Sequence, residues 1–185
     1  MRFNYQTTPA HPGKVQRLMR KFLEEISTLT YFDEDEEMEL LRDIVLRKGK
    51  DGFCTEVLPD DESVIKIYYD FSDLDPRNLS VRIFNKNVRT RAPFTRGISD
   101  VTIALLHELG HNITVYDLPK NFDRTGEILD IFASTKNFEL RCRMYCDLAD
   151  EWAATQWAID WLSDAENRRK ARAFERAFFK AWRGE

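Results

Sequence analysis

Histidine and cysteine are scarce in this chain of 185 residues, which contains three of each. The three cysteines, Cys54, Cys142 and Cys146, are too few and odd in number for a disulfide framework, which agrees with a reducing compartment. Glycine and proline are also few, at seven and six residues, whereas 43% of the residues are hydrophobic. This composition excludes a disordered or collagen-like chain and predicts one soluble domain with an apolar core.

Long apolar runs and a large excess of one charge are also missing. No segment approaches the roughly 18 consecutive apolar residues that a membrane span requires, and the first residues lack the apolar core of a secretory signal. Lysine and arginine number 28 against 32 acidic residues, which gives a formal charge of -4 and does not favour binding to duplex nucleic acid. We therefore expect a cytoplasmic protein with no membrane partner and no direct contact with nucleic acid.

The hydrophobic pattern predicts helices in the first quarter of the chain and strands after them. Apolar residues recur at three- and four-residue steps over residues 12–30, which predicts an amphipathic helix, and an acidic start predicts a second helix over residues 33–47. Short β-branched and aromatic runs separated by turn residues then predict three strands, over residues 53–58, 63–71 and 79–85. We expect these strands to form a small antiparallel or mixed sheet.

The second half of the chain is predicted to be helical. Ser99 or Asp100 can cap a helix that is apolar on nearly all sides and is therefore expected to be buried. Residues 117–137 are typical of a long connection with one helical turn near residues 127–132. From residue 138 the pattern predicts helix to the end of the chain, in two pieces divided near Ser163 and Asp164. The last piece carries a stripe that would dock it on the domain, formed by Phe174, Phe178 and Trp182.

Two of the three histidines flank a glutamate in the string His107-Glu108-Leu109-Gly110-His111. Residues four apart on a helix have Cβ atoms roughly 5 to 6 Å apart, so His107 and His111 can bind one zinc ion (Zn2+). Glu108 lies about 100° around the helix from His107, where it can reach a water at the metal without ligating the metal. Metal-assisted amide hydrolysis needs this division of roles. In the alternative interpretation, all three groups are buried without a metal, but the free-energy cost of burying three ionisable groups is hard to compensate.

A zinc site needs at least one more protein ligand, and the third histidine, His11, is far away in sequence. We therefore expect a carboxylate. Glu151 lies on a largely apolar stripe beside Ala154 and Ala158, which would let its helix approach the histidine helix closely. A partly buried salt bridge of Glu151 to an arginine is the alternative interpretation. Asp147 is the second candidate ligand, and otherwise a group that could orient an imidazole N–H.

The histidine helix, followed by a helix of the form Glu-Trp-x-Ala-x-x-aromatic-Ala, resembles the small gluzincin metallopeptidases, most of all the ImmA/IrrE type and the minigluzincins. The resemblance covers roughly residues 79–162. It implies a sheet, then the active-site helix, then the glutamate helix. It also implies zinc ligands at His107, His111 and Glu151, with Glu108 as the general base. Members of the family often cleave a DNA-bound repressor, which implies a protein substrate.

The chain departs from the family's pattern at two points. Thr155 stands four residues after Glu151, where such proteins usually have Asp or Asn, and 39 residues separate His111 from Glu151, a longer connection than compact members need. The predicted strand over residues 79–85 resembles the edge strand that zincins offer to an extended substrate, although a core strand is the alternative. The hydrogen bond that a tetrahedral oxyanion needs has three candidates that the sequence does not distinguish: Tyr116, Tyr145 and Arg141.

The prediction is a single α+β domain of zincin-like fold over residues 1–185. It contains N-terminal helices, a small sheet, the His107 helix, the Glu151 helix and a docking C-terminal helix. The predicted function is zinc-dependent hydrolysis of a peptide bond in a cytoplasmic protein; the partner is a protein or peptide substrate, with a specific regulator as one candidate. The alternative is a non-catalytic phage or mobile-element factor that keeps the zincin scaffold and binds a host protein. Glu108 argues against it, because a binding module needs no general base.

Overall fold

The computed structural model of the protein describes residues 8–27, 43–49, 54–56, 64–75, 77–115 and 118–185. These residues form an α+β fold with seven α-helices and a three-stranded sheet. The strands are β1 (Asp43–Lys48), β2 (Cys54–Glu56) and β3 (Val64–Tyr69). The helices are α1 (Pro12–Ser27), α2 (Leu79–Arg91), α3 (Asp100–Thr114), α4 (Arg124–Ser134), α5 (Phe138–Cys146), α6 (Ala149–Ser163) and α7 (Ala165–Arg183).

The sheet has the order β1-β3-β2, with β1 parallel and β2 antiparallel to β3. It is therefore mixed, one of the two arrangements predicted. Ile44 pairs with Ile65 and Leu46 with Ile67, and all four side chains are buried. Because alternate residues of a strand point to the same face, this register gives the sheet one apolar face. That face belongs to the same core as residues of α1 and α3.

Several predicted elements are confirmed. The helix predicted over residues 12–30 coincides with α1, and residues 28–30 lie outside the described residues. Strands β2 and β3 lie within those predicted over residues 53–58 and 63–71, but β3 ends at Tyr69 and Phe71 begins a short 3-10 helix; residues 53, 57, 58 and 63 lie outside the described residues. The predicted division of the C-terminal helices is also confirmed, since Asp164 separates α6 from α7 and its side chain accepts hydrogen bonds from the first backbone N–H groups of α7.

The helix predicted over residues 33–47 is wrong at its C-terminal end, because residues 43–48 form β1. Residues 33–42 lie outside the described residues. Ile44 and Leu46 are buried while the residues between and after them are partly or fully exposed, which is the two-residue period of a strand. The apolar run was too short to distinguish this period from that of a helix.

The strand predicted over residues 79–85 is also wrong, because these residues form the first half of α2. Val81 and Val88, seven residues apart, are the buried residues of this helix, which is a helical period of two turns. The edge strand predicted before the His107 helix is therefore absent, because these residues are helical. Among the described strands, β2 and β1 are the edges of the sheet.

The connection predicted over residues 117–137 contains more helix than expected. Instead of one turn, α4 spans 11 residues, and the Asp123 side chain caps it by accepting a hydrogen bond from the N–H of Gly126 at 3.0 Å. The helix predicted from residue 138 is likewise divided, since α5 ends at Cys146 and α6 starts at Ala149. These two breaks place α4 and α5 together as a hairpin beside α6.

The C-terminal helix docks on the domain through the predicted aromatic stripe. Phe174 stacks on Phe22 of α1 with ring centroids 4.3 Å apart, and Trp182 packs edge-on against Phe71 at 4.7 Å. Phe178, between them in sequence, is fully buried. Most residues of α3 are buried in the same core. None of the described helices is long and apolar enough to cross a membrane.

Helices α3 and α6 approach each other closely at Gly110. A Cβ atom at this position would lie 2.6 Å from the carbonyl oxygen of Ala154, a backbone atom that cannot yield unless α6 shifts. We expect Gly110→Ala to lower the free energy of unfolding by about 1–3 kcal/mol, the usual cost of overpacking a well-packed interior. Urea unfolding of the purified variant measures this change.

Gly13→Ala in α1 is the matched control, because no atom lies within 4 Å of its added Cβ. Alanine is favoured over glycine in a helix by up to about 1 kcal/mol, so this control should be neutral or stabilising. Equal stabilities of the Gly110→Ala and Gly13→Ala proteins would contradict the importance of the close approach.

Candidate metal centre

The histidine-bearing helix is held at its start by α7. Ser99 is the N-cap, one of the two predicted caps, and its hydroxyl accepts a hydrogen bond from the N–H of Thr102 at 3.3 Å. The buried Glu175 carboxylate accepts hydrogen bonds from the Ser99 N–H at 2.6 Å and the Thr102 hydroxyl at 2.7 Å. A carboxylate at a helix N-terminus is favoured by the helix dipole. The orientation of α3 is therefore tied to the core.

His107, His111 and Glu151 meet where α3 packs against α6. The Nε2 atom of His107 lies 3.2 Å from Nε2 of His111 and 3.1 Å from Oε2 of Glu151, and Nε2 of His111 lies 3.6 Å from Oε1 of Glu151. Donors about 2.0–2.2 Å from a tetrahedral zinc ion are about 3.3 Å apart, so these separations suit one ion. The buried group can hold a metal ion.

The carboxylate of Glu151 is in the charged form that a metal requires. Burial by itself raises the pKa of Glu151, but the hydrogen bonds and charges of His107 and His111 outweigh burial and hold this pKa well below its usual range. Asp147, the other carboxylate considered from the sequence, is the exposed C-cap of α5 and does not belong to the cluster.

Thr155 contacts the imidazole of His107. Its Oγ1 atom lies 3.2 Å from Nδ1 of His107, the ring nitrogen that faces away from Glu151. Phe84 of α2 packs edge-on against the same imidazole, with ring centroids 5.0 Å apart. A hydrogen-bond partner at the second nitrogen fixes the ring and presents Nε2 to a metal. The threonine hydroxyl thus contacts the histidine at the position where the resembled family has Asp or Asn.

Glu108 lies beside the cluster without entering it. Its side chain is buried and accepts a hydrogen bond from the backbone N–H of Thr55. Burial raises its pKa to about 7, the charge of Glu151 acts in the same direction, and the charges of His111 and Arg124 oppose the rise. A carboxyl group with a pKa near neutrality is well matched to proton transfer at physiological pH.

Strand β2 contacts α3, the helix that carries both histidines. The Asn112 side-chain amide donates to the Thr55 hydroxyl at 2.5 Å, and this hydroxyl donates to the carbonyl oxygen of Lys66 on β3 at 3.1 Å. Thr55 therefore ties an edge strand of the sheet to the helix that carries both histidines. Sequence reasoning missed this residue, because nothing in a short strand segment indicates which helix it contacts.

Arg124, the first residue of α4, is the second functional candidate that sequence reasoning missed. Its Nη2 atom donates to Oε1 of Glu151 at 2.7 Å and to the hydroxyl of Tyr145 at 2.5 Å, and its Nη1 atom contacts Oδ2 of Asp150. Asp150 is buried, and its Oδ1 atom has no hydrogen-bond partner among the described residues. The available signal was the Asp123 cap, which marks Arg124 as the start of a helix.

The three candidates for oxyanion stabilisation differ in their positions. Tyr145 lies at the cavity beside Glu151, and burial raises the pKa of its phenol, which keeps the hydroxyl protonated. Arg141 donates from Nε to the carbonyl oxygen of Thr135 at 2.6 Å and from Nη2 to that of Phe132 at 3.0 Å, so it braces the α4–α5 hairpin. Tyr116 lies outside the described residues.

The cluster opens into a cavity of about 760 Å³, lined mainly by apolar side chains. His107, Glu108, His111 and Glu151 all contribute to its wall, and the α4–α5 hairpin forms one side. Phe132 and Phe138 of this hairpin also line the cavity, although each is 57% exposed. Concave apolar sites with a few converging polar groups are the usual form of a ligand or substrate site.

Comparisons with models of known protein families, with curated proteins and with solved structures found no match to this chain. The chemistry of the site itself therefore carries the functional proposal.

Proposed function

We propose that the protein is a zinc-dependent metallopeptidase of the gluzincin type. The observation that carries the proposal is the convergence of His107, His111 and Glu151, whose ligand atoms lie close enough together to hold one metal ion. Glu108 lies beside them on the same cavity wall. The order of the elements, with the sheet before α3 and α3 before α6, is the order that the resemblance implies, and it supports a zincin-like fold.

Two imidazoles and one carboxylate form a donor set that suits zinc. When bound, zinc lowers the pKa of a water molecule to about 7 and polarises the carbonyl group of the scissile bond. Glu108 accepts the proton of the attacking water and later delivers it to the leaving amine. Its pKa of about 7 and its position beside the cluster support both steps. Arg124 holds Glu151 in place, and Thr155 holds the ring of His107.

The proposed substrate is a polypeptide in extended form. Cys54 and Thr55 of β2, an edge strand of the described sheet, line the cavity, so a bound polypeptide would lie beside this strand. Phe84, Ile131 and Phe132 contribute to the apolar lining beside the cluster. We therefore propose a preference for large apolar side chains next to the scissile bond, in a cytoplasmic protein.

The test is digestion of a peptide mixture of varied sequence by the zinc-loaded protein, with the cleavage sites read by mass spectrometry. We expect cleavage at bonds flanked by large apolar side chains, loss of cleavage after a chelator removes the metal, and recovery when zinc is returned. Protein that binds zinc but cleaves neither peptides nor unfolded proteins would contradict the proposal and favour a non-catalytic binding protein.

A further inference from the structure

Arg124 connects three helices at the metal centre. It begins α4, its Nη2 atom donates to Tyr145 of α5 and Glu151 of α6, and its Nη1 atom contacts Asp150 of α6. The guanidinium group is planar and its donors form a rigid fork, so contacts in several directions fix both its position and its plane. The side chain is 40% exposed on the cavity side, whereas both of its carboxylate partners are almost fully buried.

The two oxygens of Glu151 have different partners. Oε2 lies 3.1 Å from Nε2 of His107, whereas Oε1 accepts the hydrogen bond from Arg124 at 2.7 Å and lies 3.6 Å from Nε2 of His111. We propose that Arg124 is a positioning residue, which engages Oε1 of Glu151 and thereby favours Oε2, the oxygen 3.1 Å from Nε2 of His107, as the metal ligand. This inference rests on the proposed metal site and deepens it by naming the group that sets the ligand geometry.

Charge alone does not account for the contact. Asp150 pairs with Arg124, so the two side chains together add no net charge beside Glu151. What remains is orientation: without Arg124, Oε1 would be a buried acceptor that has lost a strong hydrogen bond. The carboxylate would then turn both oxygens towards a bound metal, or turn away from it. Zinc binding would then have to fix the orientation of the carboxylate, and this ordering cost lowers the affinity.

The experiment compares zinc affinity between two sets of variants, by competition with a chelating dye. Arg124→Met/Asp150→Asn removes the positioning contact without changing the net charge, and we expect about 10- to 100-fold weaker zinc binding, the usual loss for a partner of a metal ligand. Arg124→Lys keeps the charge and a donor and should lie between this variant and the wild type. Arg141→Met is the matched control, because Arg141 braces the same hairpin through the backbone oxygens of Thr135 and Phe132 and the ring of Phe132, and its loss should leave the affinity within about threefold.

Cobalt supplies a readout that a merely structural role would not move. Four-coordinate Co2+ absorbs visible light more strongly than Co2+ with more ligands, so a second oxygen from Glu151 would weaken the absorption. We expect weaker absorption in Arg124→Met/Asp150→Asn than in the wild type and in Arg141→Met. Thermal unfolding of the metal-free proteins checks that all of them are folded.

Equal zinc affinity and equal cobalt spectra in the wild type and Arg124→Met/Asp150→Asn would overturn the inference. Equal losses in that variant and in Arg141→Met would also overturn it, because the loss would then come from a loosened hairpin. If Glu151→Ala loses zinc and the Arg124 variants do not, only the role of Arg124 fails. If wild-type protein binds no zinc, the proposed function and this inference fail together.

Discussion

Glu108→Gln is expected to abolish peptide hydrolysis while the protein still binds zinc at the wild-type stoichiometry. An amide has the size of the carboxylate but cannot accept the proton of the attacking water. A general base contributes roughly 10²- to 10⁴-fold to rate, so turnover should fall by at least that factor. Initial rates on the best cleaved peptide, together with elemental analysis of the same samples, measure both quantities.

The surroundings of Glu108 predict that this variant folds. The amide oxygen of glutamine can still accept the hydrogen bond from the Thr55 N–H, and a neutral side chain removes the cost of burying a charge. Glu175→Gln is the matched control, since Glu175 is also buried and bonded to the start of α3, away from the cluster. It should retain activity. Wild-type rates in pure Glu108→Gln protein would contradict the proposed mechanism.

The site was predictable where its chemistry is local in sequence. A four-residue spacing places His107 and His111 on one side of any helix, and the Ser99 cap and apolar surroundings predict that helix directly. Glu151 was also predictable as a ligand, because the stripe that it shares with Ala154 and Ala158 predicts that this side of the helix faces the core. The structure places Glu151 in the cluster and leaves Asp147 exposed.

Contacts between distant segments were not predictable in this way. Arg124 meets Glu151 across 27 positions of sequence, and Thr55 meets Asn112 across 57. No local pattern links these positions, because their pairing depends on how α4 and β2 pack against the core. Thr155 is an intermediate case: the sequence marks it as a departure from the resembled family, and only the packing of α6 on α3 brings its hydroxyl to the imidazole.

The errors in secondary structure have a different cause. Residues 43–48 and 79–85 are short segments in which apolar and polar residues fit both a two-residue and a 3.6-residue period. Tertiary contacts decide between them. Ile44 and Leu46 bury one face of a strand beside β3, whereas α2 buries Val81 and Val88 and packs beside the cavity.

Glu151→Ala is expected to lose most of its zinc. Wild-type protein should bind close to one zinc ion per chain, and removal of one of three protein ligands should weaken binding by more than the 10- to 100-fold that loss of an outer contact costs, about two orders of magnitude or more. Elemental analysis of purified protein after dialysis, with protein concentration measured independently, gives the metal content. Zinc should also raise the melting temperature of the wild type and not that of the variant, since a ligand at about 100 times its Kd stabilises by about 2.7 kcal/mol.

Asp147→Ala is the control that gives this experiment its meaning. Both changes remove one carboxylate, but Asp147 is exposed at the end of α5, whereas Glu151 lies in the first turn of α6, 3.1 Å from Nε2 of His107. Zinc retained in Asp147→Ala and lost in Glu151→Ala would assign the third ligand. The opposite result would mean that Asp147 swings inward when metal binds and that the contact between Glu151 and the two histidines belongs to the metal-free state. Zinc bound equally by all three proteins would mean that neither Asp147 nor Glu151 is a metal ligand. If none of the three proteins binds zinc, Glu108 has no ion to serve, and the cavity is better explained as a surface for binding another protein.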